Sequence, residues 1–589
     1  MLASSISRSS SKITVTVNGR SLKAKKGETI LALCDRNGIR VPRLCFHPCL
    51  PPSGTCGLCV VQVENHGAET FSNACVTKVA NGIRVNTLHQ RVIDQVRNTL
   101  THILDTHDER CSACVANQRC EFRNLCYDHK VSSLKDRLHI KYKNDDSTHA
   151  IHIDPSKCVD CKRCVRACNK IAGMKILKVA PLQGRNAVQI ASGLDLYDTT
   201  CIRCGQCVLF CPVGALTERT QSREVLEKIR NHGKKVNVCE LGPGVHIALA
   251  DALGLTPQQL TPQRLVSCLK AIGFDYVLDA KFGGDLMIME EAATLVEKIK
   301  KNALKAPFFS SNCPSFVNYI EQSRPSVIPN LSTLRSAPSI LSSLVMEVLP
   351  AKLNIRPLDI FNVSVTCCLS KKDEIERPQY QTKVGLKNID VSLSVRELVD
   401  LFHIAHINPL TFKETPFDTV LGTGSGAAEL IDTSGGYMEA TLRTAHWMLT
   451  GKNPAKLEMK ELRGDKALKV MEVKLGDHKI HVAAVQGMVN AIKFFDKVKK
   501  DKKLRKIKYV EVMACPGGCV CGGGTSILTS KEAIKERCDA IYKDEAKSKI
   551  RFAHENPCVQ DIYKTLLEKP NSQKVHDLLH AHFSRRPGF

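Results

Sequence analysis

The chain has 589 residues, a formal net charge of +25, 28 Cys, 43% apolar and 24% charged residues. That length implies several domains, each able to bury its own core, and no uninterrupted apolar run reaches the roughly 18 residues a membrane span requires. The cysteine content leaves two classes, an extracellular disulfide array or a set of metal sites, and the spacings below exclude the first.

The first twelve residues, MLASSISRSSSK, are rich in Ser and carry Arg8 and Lys12, and the first acidic residue is Glu28. This composition is that of an organellar transit peptide over residues 1–12, with a disordered tail as the alternative. From Ile13 the run ITVTVNG alternates in period 2, turns at Asn18-Gly19 and resumes as SLKAKK, and a short helix, GETILALCDRNG, follows. A β-rich ferredoxin-like domain is expected over 13–92. Residues 93–137 open with the helical stretch RVIDQVRNTLTHILDTHDERC and form a second cysteine-bearing module. Residues 138–218 hold two tightly spaced cysteine runs, and the helix SREVLEKIRNHG reads as a connector. Beyond it, VNVCELGPGV, DYVLDAKFG, APFFSSNCP, LDIFNVSVTCC and KYVEVMACPGG are strand-like runs that deliver special residues at their C-terminal ends. Alternation of strands and helices predicts α/β lobes with sites at strand ends, over 219–560, and a C-terminal tail over 561–589.

Cys158-x2-Cys161-x2-Cys164-x3-Cys168 is echoed by Cys201-x2-Cys204-x2-Cys207-x3-Cys211-Pro212. In this duplicated run the fourth Cys of each half ligates the other cluster. Cys158, Cys161, Cys164 and Cys211 are therefore assigned to one 4Fe–4S cubane, and Cys201, Cys204, Cys207 and Cys168 to the other. Cys45-x10-Cys56-x2-Cys59-x15-Cys75, with Gly54 and Gly57 beside the central pair, predicts a 2Fe–2S cluster. His107-x3-Cys111-x2-Cys114-x5-Cys120 predicts a third relay 4Fe–4S cluster with one imidazole ligand. Taken alone, those three Cys would equally suit zinc and His107 the surface. Cys49 reads as a spare thiol.

Three further runs carry cysteines: SSNCPSF with Cys313, TCCLSKKDEIERP with Cys367 and Cys368, and EVMACPGGCVCGGG with Cys515, Cys519 and Cys521. Together with the N-terminal modules, these make the chain resemble the FeFe (iron-only) hydrogenases from residue 13 to the end, HDLLHAHF included. The family signatures are T-S-C-C-P, M-P-C-x-x-K-x-x-E and E-x-M-A-C-x-x-G-C-x-x-G-G-G, the last matched in full from Glu511 to Gly524. The implied fold is α+β multidomain: a β-grasp ferredoxin-like module and a bacterial-ferredoxin-like module, then a two-lobed α/β catalytic domain and a small-subunit-like tail. The resemblance implies an H-cluster, a 4Fe–4S cubane with or without a CO- and cyanide-bearing diiron subcluster. Its cubane ligands would be Cys313, Cys368, Cys515 and Cys519, with Cys519 bridging to the diiron unit. Lys371 matches the Lys that hydrogen-bonds a cyanide, Met513 the Met beside the bridging position, and Glu291 and Ser332 two proton-relay positions. Gly435-Gly436 matches a family strand–helix turn.

Proton delivery departs from the family pattern. The first Cys of T-S-C-C-P is Asn312, whose amide has no accessible proton-transfer pKa, and a relay Glu falls on Thr294. The pocket is altered too: Thr366-Cys367 stand for Met-Pro, Thr525-Ser526 for Gln-Pro, Gly242-Pro243-Gly244 for A-P-[AS], and Pro338 for a Gln.

Two functions follow. One is an enzyme interconverting protons plus electrons and H2, with impaired or altered proton delivery. The other is a non-catalytic iron–sulfur electron-transfer or redox-sensing subunit. Expected partners are an acidic ferredoxin, which the net charge would attract, or a NADH-oxidising flavoprotein subunit, together with hydrogenase maturation proteins. The basic stretch Lys493–Lys508, nine of sixteen residues Lys or Arg, reads as a solvated face, and no nucleic acid is expected. The expected location is the matrix of a hydrogenosome or mitochondrion-like organelle. Cys239, Cys367 and Cys521 adjoin the catalytic motifs as pocket thiols or buried small hydrophobes, and Cys34, Cys126, Cys268, Cys538 and Cys558 read as structural.

Overall fold

The alternating run at the N-terminus folds as the hairpin β1 (Ile13–Val17) and β2 (Arg20–Ala24), closed by Asn18 and Gly19 at φ 48° and 80°. Left-handed backbone at both turn residues matches the twist of the strands it joins. This computed structural model describes residues 13–132, 142–231, 233, 235–526 and 530–586; the expected transit peptide, 1–12, lies outside them. β3 (Val60–Asn65), β4 (Ala68–Asn73) and β5 (Arg84–Asn86) complete a five-stranded sheet of order β2-β1-β5-β3-β4, with β1 and β5 parallel. The helix Ile30–Arg36, capped by the Thr29 hydroxyl, buries Ile30, Leu31 and Leu33 among Val15, Val17 and Val61. This is the β-grasp module.

The helix Gln90–Leu104 places Val92, Val96, Leu100 and Leu104 four residues apart on one face, and that stripe packs into the core shared with the ferredoxin module. In that module β6 (Ile151–Ile153), β7 (Leu177–Leu182), β8 (Arg185–Ile190) and β9 (Leu216–Glu218) form two antiparallel pairs, β6 with β9 and β7 with β8. The connector helix is Ser222–Asn231.

Two four-stranded sheets build the catalytic lobes. The strands are β10 (Val236–Leu241), β11 (Tyr276–Asp279), β12 (Phe308–Phe309), β13 (Ile360–Thr366), β14 (Val391–Ser394), β15 (Leu468–Leu475), β16 (His478–Gln486) and β17 (Ile507–Met513). The first sheet, β11-β10-β13-β14, is wholly parallel, and its strands are almost continuously buried, polar residues such as Asn362 and Ser364 included, because both faces are covered. The second, β12-β17-β16-β15, adds one antiparallel edge strand. The cysteine motifs follow the C-terminal ends of β12, β13 and β17, so the parallel arrangement aims all three at one cleft.

The C-terminal tail is part of the catalytic core. Val559, Leu567, Val575 and Leu579 pack with Leu286, Leu341 and Leu344. The backbone N–H of Arg335 donates to Leu579 O at 2.9 Å and that of Ala581 to Thr333 O at 2.7 Å.

Candidate active site and cluster relay

In the β-grasp module Cys45, Cys56, Cys59 and Cys75 converge. The Cys45 N–H lies 3.5 Å from the Cys56 sulfur, Cys56 and Cys75 act on the Cys45 thiol, and Cys75 acts on that of Cys59. Gly54 and Gly57, at φ 68° and 70°, turn the loop that carries Cys56. Four converging thiols suit a 2Fe–2S cluster.

Burial holds the His107 imidazole down at about 4, so the ring is neutral, the state that offers a nitrogen lone pair to a metal. Its ring edge packs on Phe122 at 5.1 Å, two residues beyond Cys120. Burial raises the Cys120 thiol, and the charges of Cys114 and Cys111 act on it in the same sense.

In the ferredoxin module the two cysteine runs lie within reach of each other's charge. Burial raises the Cys164 thiol, and Cys161, Cys158, Cys211 and Cys207 raise it further. For Cys207 the order is burial, then Cys204, Cys201, Cys168 and Cys211. Cys168, Cys201, Cys204 and Cys207 line one small apolar cavity with Ile153, Leu177 and Leu216.

Arg163, 2% exposed, joins the modules. It donates to both carboxylate oxygens of Glu121 at 2.7 and 2.9 Å and to Phe46 O at 2.8 Å, while Cys161 and Cys211 lie in its field. One guanidinium thus binds the 2Fe–2S loop, the helix after Cys120 and the first cubane loop.

In the catalytic cleft Cys313 caps the helix Pro314–Ser323, and its sulfur lies 3.5 Å from the Ala514 N–H. Burial raises the Cys515 thiol, and Cys368 and Cys313 raise it further; for Cys519 burial is followed by Asp432, Cys368, Cys313 and Cys515. The four motif cysteines therefore meet. Lys371, 7% exposed, opens the turn Lys371–Glu374 and donates to the Glu374 carboxylate at 2.7 Å. Its charge acts on Cys368 and Cys313. Met513 ends β17 with 1% exposure. The Gly435 and Met438 N–H groups, at the start of the helix Gly436–Thr450, both donate to Glu511. The motif glycines are required by contact: a Cβ at Gly523 would collide with the Cys204 carbonyl oxygen, and one at Gly205 with Leu369. Across this joint Gln206 Nε2 donates to the Cys515 sulfur at 3.2 Å.

Of the relay residues, Glu291 and Ser332 meet, with Ser332 Oγ donating to Glu291 Oε2 at 2.5 Å and Tyr509 OH to Oε1 at 3.2 Å. Burial pushes the Glu291 carboxyl up to about 7. At the inner end the Asn312 amide nitrogen is buried with no hydrogen-bond partner among the described residues. At the outer end the Thr294 hydroxyl donates to Asn571 Oδ1 at 3.3 Å. An orphaned donor beside the cysteine cleft, with the Lys371 ammonium, fits a group rich in acceptors such as a cyanide- and thiolate-bearing diiron unit.

Three residues were not singled out from sequence. Asp432, three residues before Gly435, accepts from the Gly244 N–H at 2.8 Å, and burial pushes its carboxyl up to about 6. Gln206 and Arg163 lie inside the cysteine runs, where the ligand spacing draws the eye past them. Cys239 is fully buried in the apolar core with Val363 and Leu393, which settles it as a small hydrophobe. Cys538, read as structural, differs: its thiol donates to Gly517 O at 3.3 Å, and the Cys521 sulfur stands beside the same glycine.

Converging cysteine sites leading to a buried four-cysteine cleft define an iron–sulfur oxidoreductase. Family models match in the same order along the chain: a 2Fe-2S iron-sulfur cluster binding domain over 10–90, a 4Fe-4S dicluster domain over 157–216, the C-terminal domain of the iron only hydrogenase large subunit over 235–523 and the iron hydrogenase small subunit over 531–586. The NADP-reducing hydrogenase subunit HndD of Solidesulfovibrio fructosivorans is 32% identical, covering 98% of this chain and 99% of its own. Iron hydrogenase 1 of Clostridium pasteurianum is 31% identical over 97% of this chain and 100% of its own. The solved apo [FeFe]-hydrogenase of Chlamydomonas reinhardtii superimposes with a TM-score of 0.56 at 31% identity, covering 62% of this chain and all of that one. The chain belongs to the iron-only, or FeFe, hydrogenase family.

Proposed function

We propose that the chain is a hydrogenase-type enzyme interconverting protons plus electrons and H2, with slow or altered proton delivery. The observation that carries it is the meeting of Cys313, Cys368, Cys515 and Cys519 beside Lys371, since a chain using the cubane for electron storage alone would have no need of that buried ammonium. The groups these residues would hold are one 2Fe–2S cluster at Cys45, Cys56, Cys59 and Cys75, a His/Cys3 4Fe–4S cluster at His107, Cys111, Cys114 and Cys120, two ferredoxin cubanes, and an H-cluster. Bound, they supply one-electron carriers and an iron centre for proton reduction.

The protein's own contributions are separable. Glu374 orients the Lys371 ammonium, whose donors suit a ligand-borne anion. Gln206 steadies Cys515 and sets the approach of the nearest ferredoxin cubane. Glu291, raised by burial, holds a proton near neutral pH and shares it with Ser332. Asn312 can donate a hydrogen bond into the cleft but cannot take up and pass on a proton, and Thr294 ends the outer segment on an amide. Electrons would enter from an acidic ferredoxin or a NADH-oxidising flavoprotein, favoured by the +25 charge, after cluster insertion by maturation proteins. The organelle matrix remains the proposed location.

The same two breaks, at Asn312 and Thr294, favour the second reading, a non-catalytic iron–sulfur electron-transfer or redox-sensing subunit. Infrared spectroscopy of chain matured with its assembly enzymes separates the two. Catalysis requires CO and cyanide stretches and about 20 iron atoms per chain; their absence with about 18 leaves only the second reading.

A further inference from the structure

Behind the cleft two thiols that are assigned to no cluster stand beside one glycine, Gly517. Cys521 closes the turn Cys519–Cys521 and is 1% exposed, while Cys538 lies on the helix Lys531–Lys547 and is half-buried. Both flank Gly517: a Cβ there would stand 3.3 Å from the Cys521 sulfur and 3.5 Å from the Cys538 sulfur, and the Cys538 thiol donates to Gly517 O at 3.3 Å. A third thiol, Cys49 from the β-grasp module, belongs to the same apolar cluster.

We propose that Cys521 and Cys538 form a reversible dithiol–disulfide site, oxidised by low-molecular-weight disulfides, that ties the loop bearing Cys515 and Cys519 to the helix Lys531–Lys547. Disulfide formation requires sulfurs already close and backbones free to bring them to bonding distance, and here one partner sits on a short turn between glycines. The half-buried thiol is the accessible one. As a thiolate, Cys538 attacks one sulfur of the small disulfide, whose S–S bond breaks and releases one thiolate. Cys521 then attacks the Cys538 sulfur, forming the protein S–S bond and releasing the second. The two protein thiols give up two electrons and two protons in all, and the small disulfide takes them up as two thiols. A reducing dithiol reverses the sequence. No hydrogen chemistry is involved, so the site stands or falls apart from the proposed activity.

The test uses the full-length, cluster-loaded chain, equilibrated without oxygen in buffers of reduced and oxidised glutathione, then alkylated and mapped by mass spectrometry with iron counted in the same samples. At the oxidising end the expected result is a Cys521–Cys538 cross-linked peptide and the loss of two alkylatable thiols, with iron unchanged. Cys49→Ser retains the cross-link and Cys538→Ser abolishes it. Should Cys538→Ser fail to fold, the wild-type cross-link and its reversal by a dithiol carry the test. The proposal is overturned if both thiols stay alkylatable across the range with iron retained. It is also overturned if Cys49 rather than Cys538 joins Cys521, or if the cross-link forms only in chains that have lost iron.

Discussion

Gln206 and Cys515 lie 309 positions apart in the chain and meet through an N–H···S hydrogen bond of 3.2 Å. The bond crosses from the ferredoxin module to the catalytic cleft, at the place where Gly523 lets the catalytic loop touch the Cys204 loop. Electron transfer between two clusters depends on such an approach, and a donor to sulfur favours the more negative, reduced state of the cluster that sulfur holds. Gln206→Ala is expected to lower the midpoint potential of the catalytic cubane by about 40 mV, the one-electron equivalent of a hydrogen bond worth about 1 kcal/mol. Potentiometric titration followed by electron paramagnetic resonance reads it; a shift upward, or one confined to the ferredoxin cubanes, contradicts the assignment.

The interrupted proton route makes a second expectation. Asn312→Cys restores an ionisable group at the inner end, and proton reduction should rise at least about tenfold, within the range general acid–base steps contribute. Adding Thr294→Glu should raise it further. Flat activity with CO and cyanide bands present would show that protons enter elsewhere.

Arg163 binds three modules through one guanidinium. Arg163 is buried but Glu121 is about one-third exposed, so losing the bidentate pair costs on the order of 1 to 2 kcal/mol, and Arg163→Ala should lower the first thermal transition and speed proteolytic cleavage between the β-grasp and ferredoxin modules. Arg163→Lys should fail to restore either, because an ammonium cannot make the planar two-point contact. Unchanged cleavage would mean the apolar core holds the modules without it.

Glu240, on β10, is fully buried with Asn362 Nδ2 as its donor at 2.7 Å, and burial pushes its carboxyl up to about 8. A raised carboxyl pKa means that the folded chain holds this proton more tightly than the unfolded one. Its effect on stability is favourable at low pH and is lost as pH climbs from the ordinary carboxylate value of 4.5 to about 8. Glu240→Gln, which keeps an acceptor for Asn362, should therefore raise the thermal midpoint at pH 8 to 9 and flatten the fall between pH 5 and 8. The gain is on the order of a few kcal/mol. An equal fall in both proteins would place the titrating group elsewhere.

Much of the site was legible in the sequence because ligand spacing is a local property. Cys158, Cys161 and Cys164 must lie on one tight loop to reach one cube, whatever surrounds them, and the same holds for Cys515 and Cys519. The hairpin at Asn18-Gly19 was equally legible, since its φ values are set by the turn residues themselves. That Asn312 ends as an orphaned buried amide and Thr294 as a hydroxyl bonded to Asn571 was not legible, since their surroundings come from distant segments. What spacing could not reveal were relations between distant segments: Arg163 with Glu121, Gln206 with Cys515, and Cys538, read only as structural, with Cys521, read as a pocket thiol or a small hydrophobe.

The 28 cysteines and their intervals thus determined, by themselves, the kind of chemistry and its order along the chain. They did so because a cluster demands three or four sulfurs at fixed separations and short loops deliver them. Which module touches which, where the Glu291–Ser332 pair stops, which spare thiol has a partner and how Asp432 comes to face Cys519 were decided only by the tertiary structure. One parallel sheet, one mixed sheet and their crossover helices bring together residues that no local spacing relates, and burial then sets their charge.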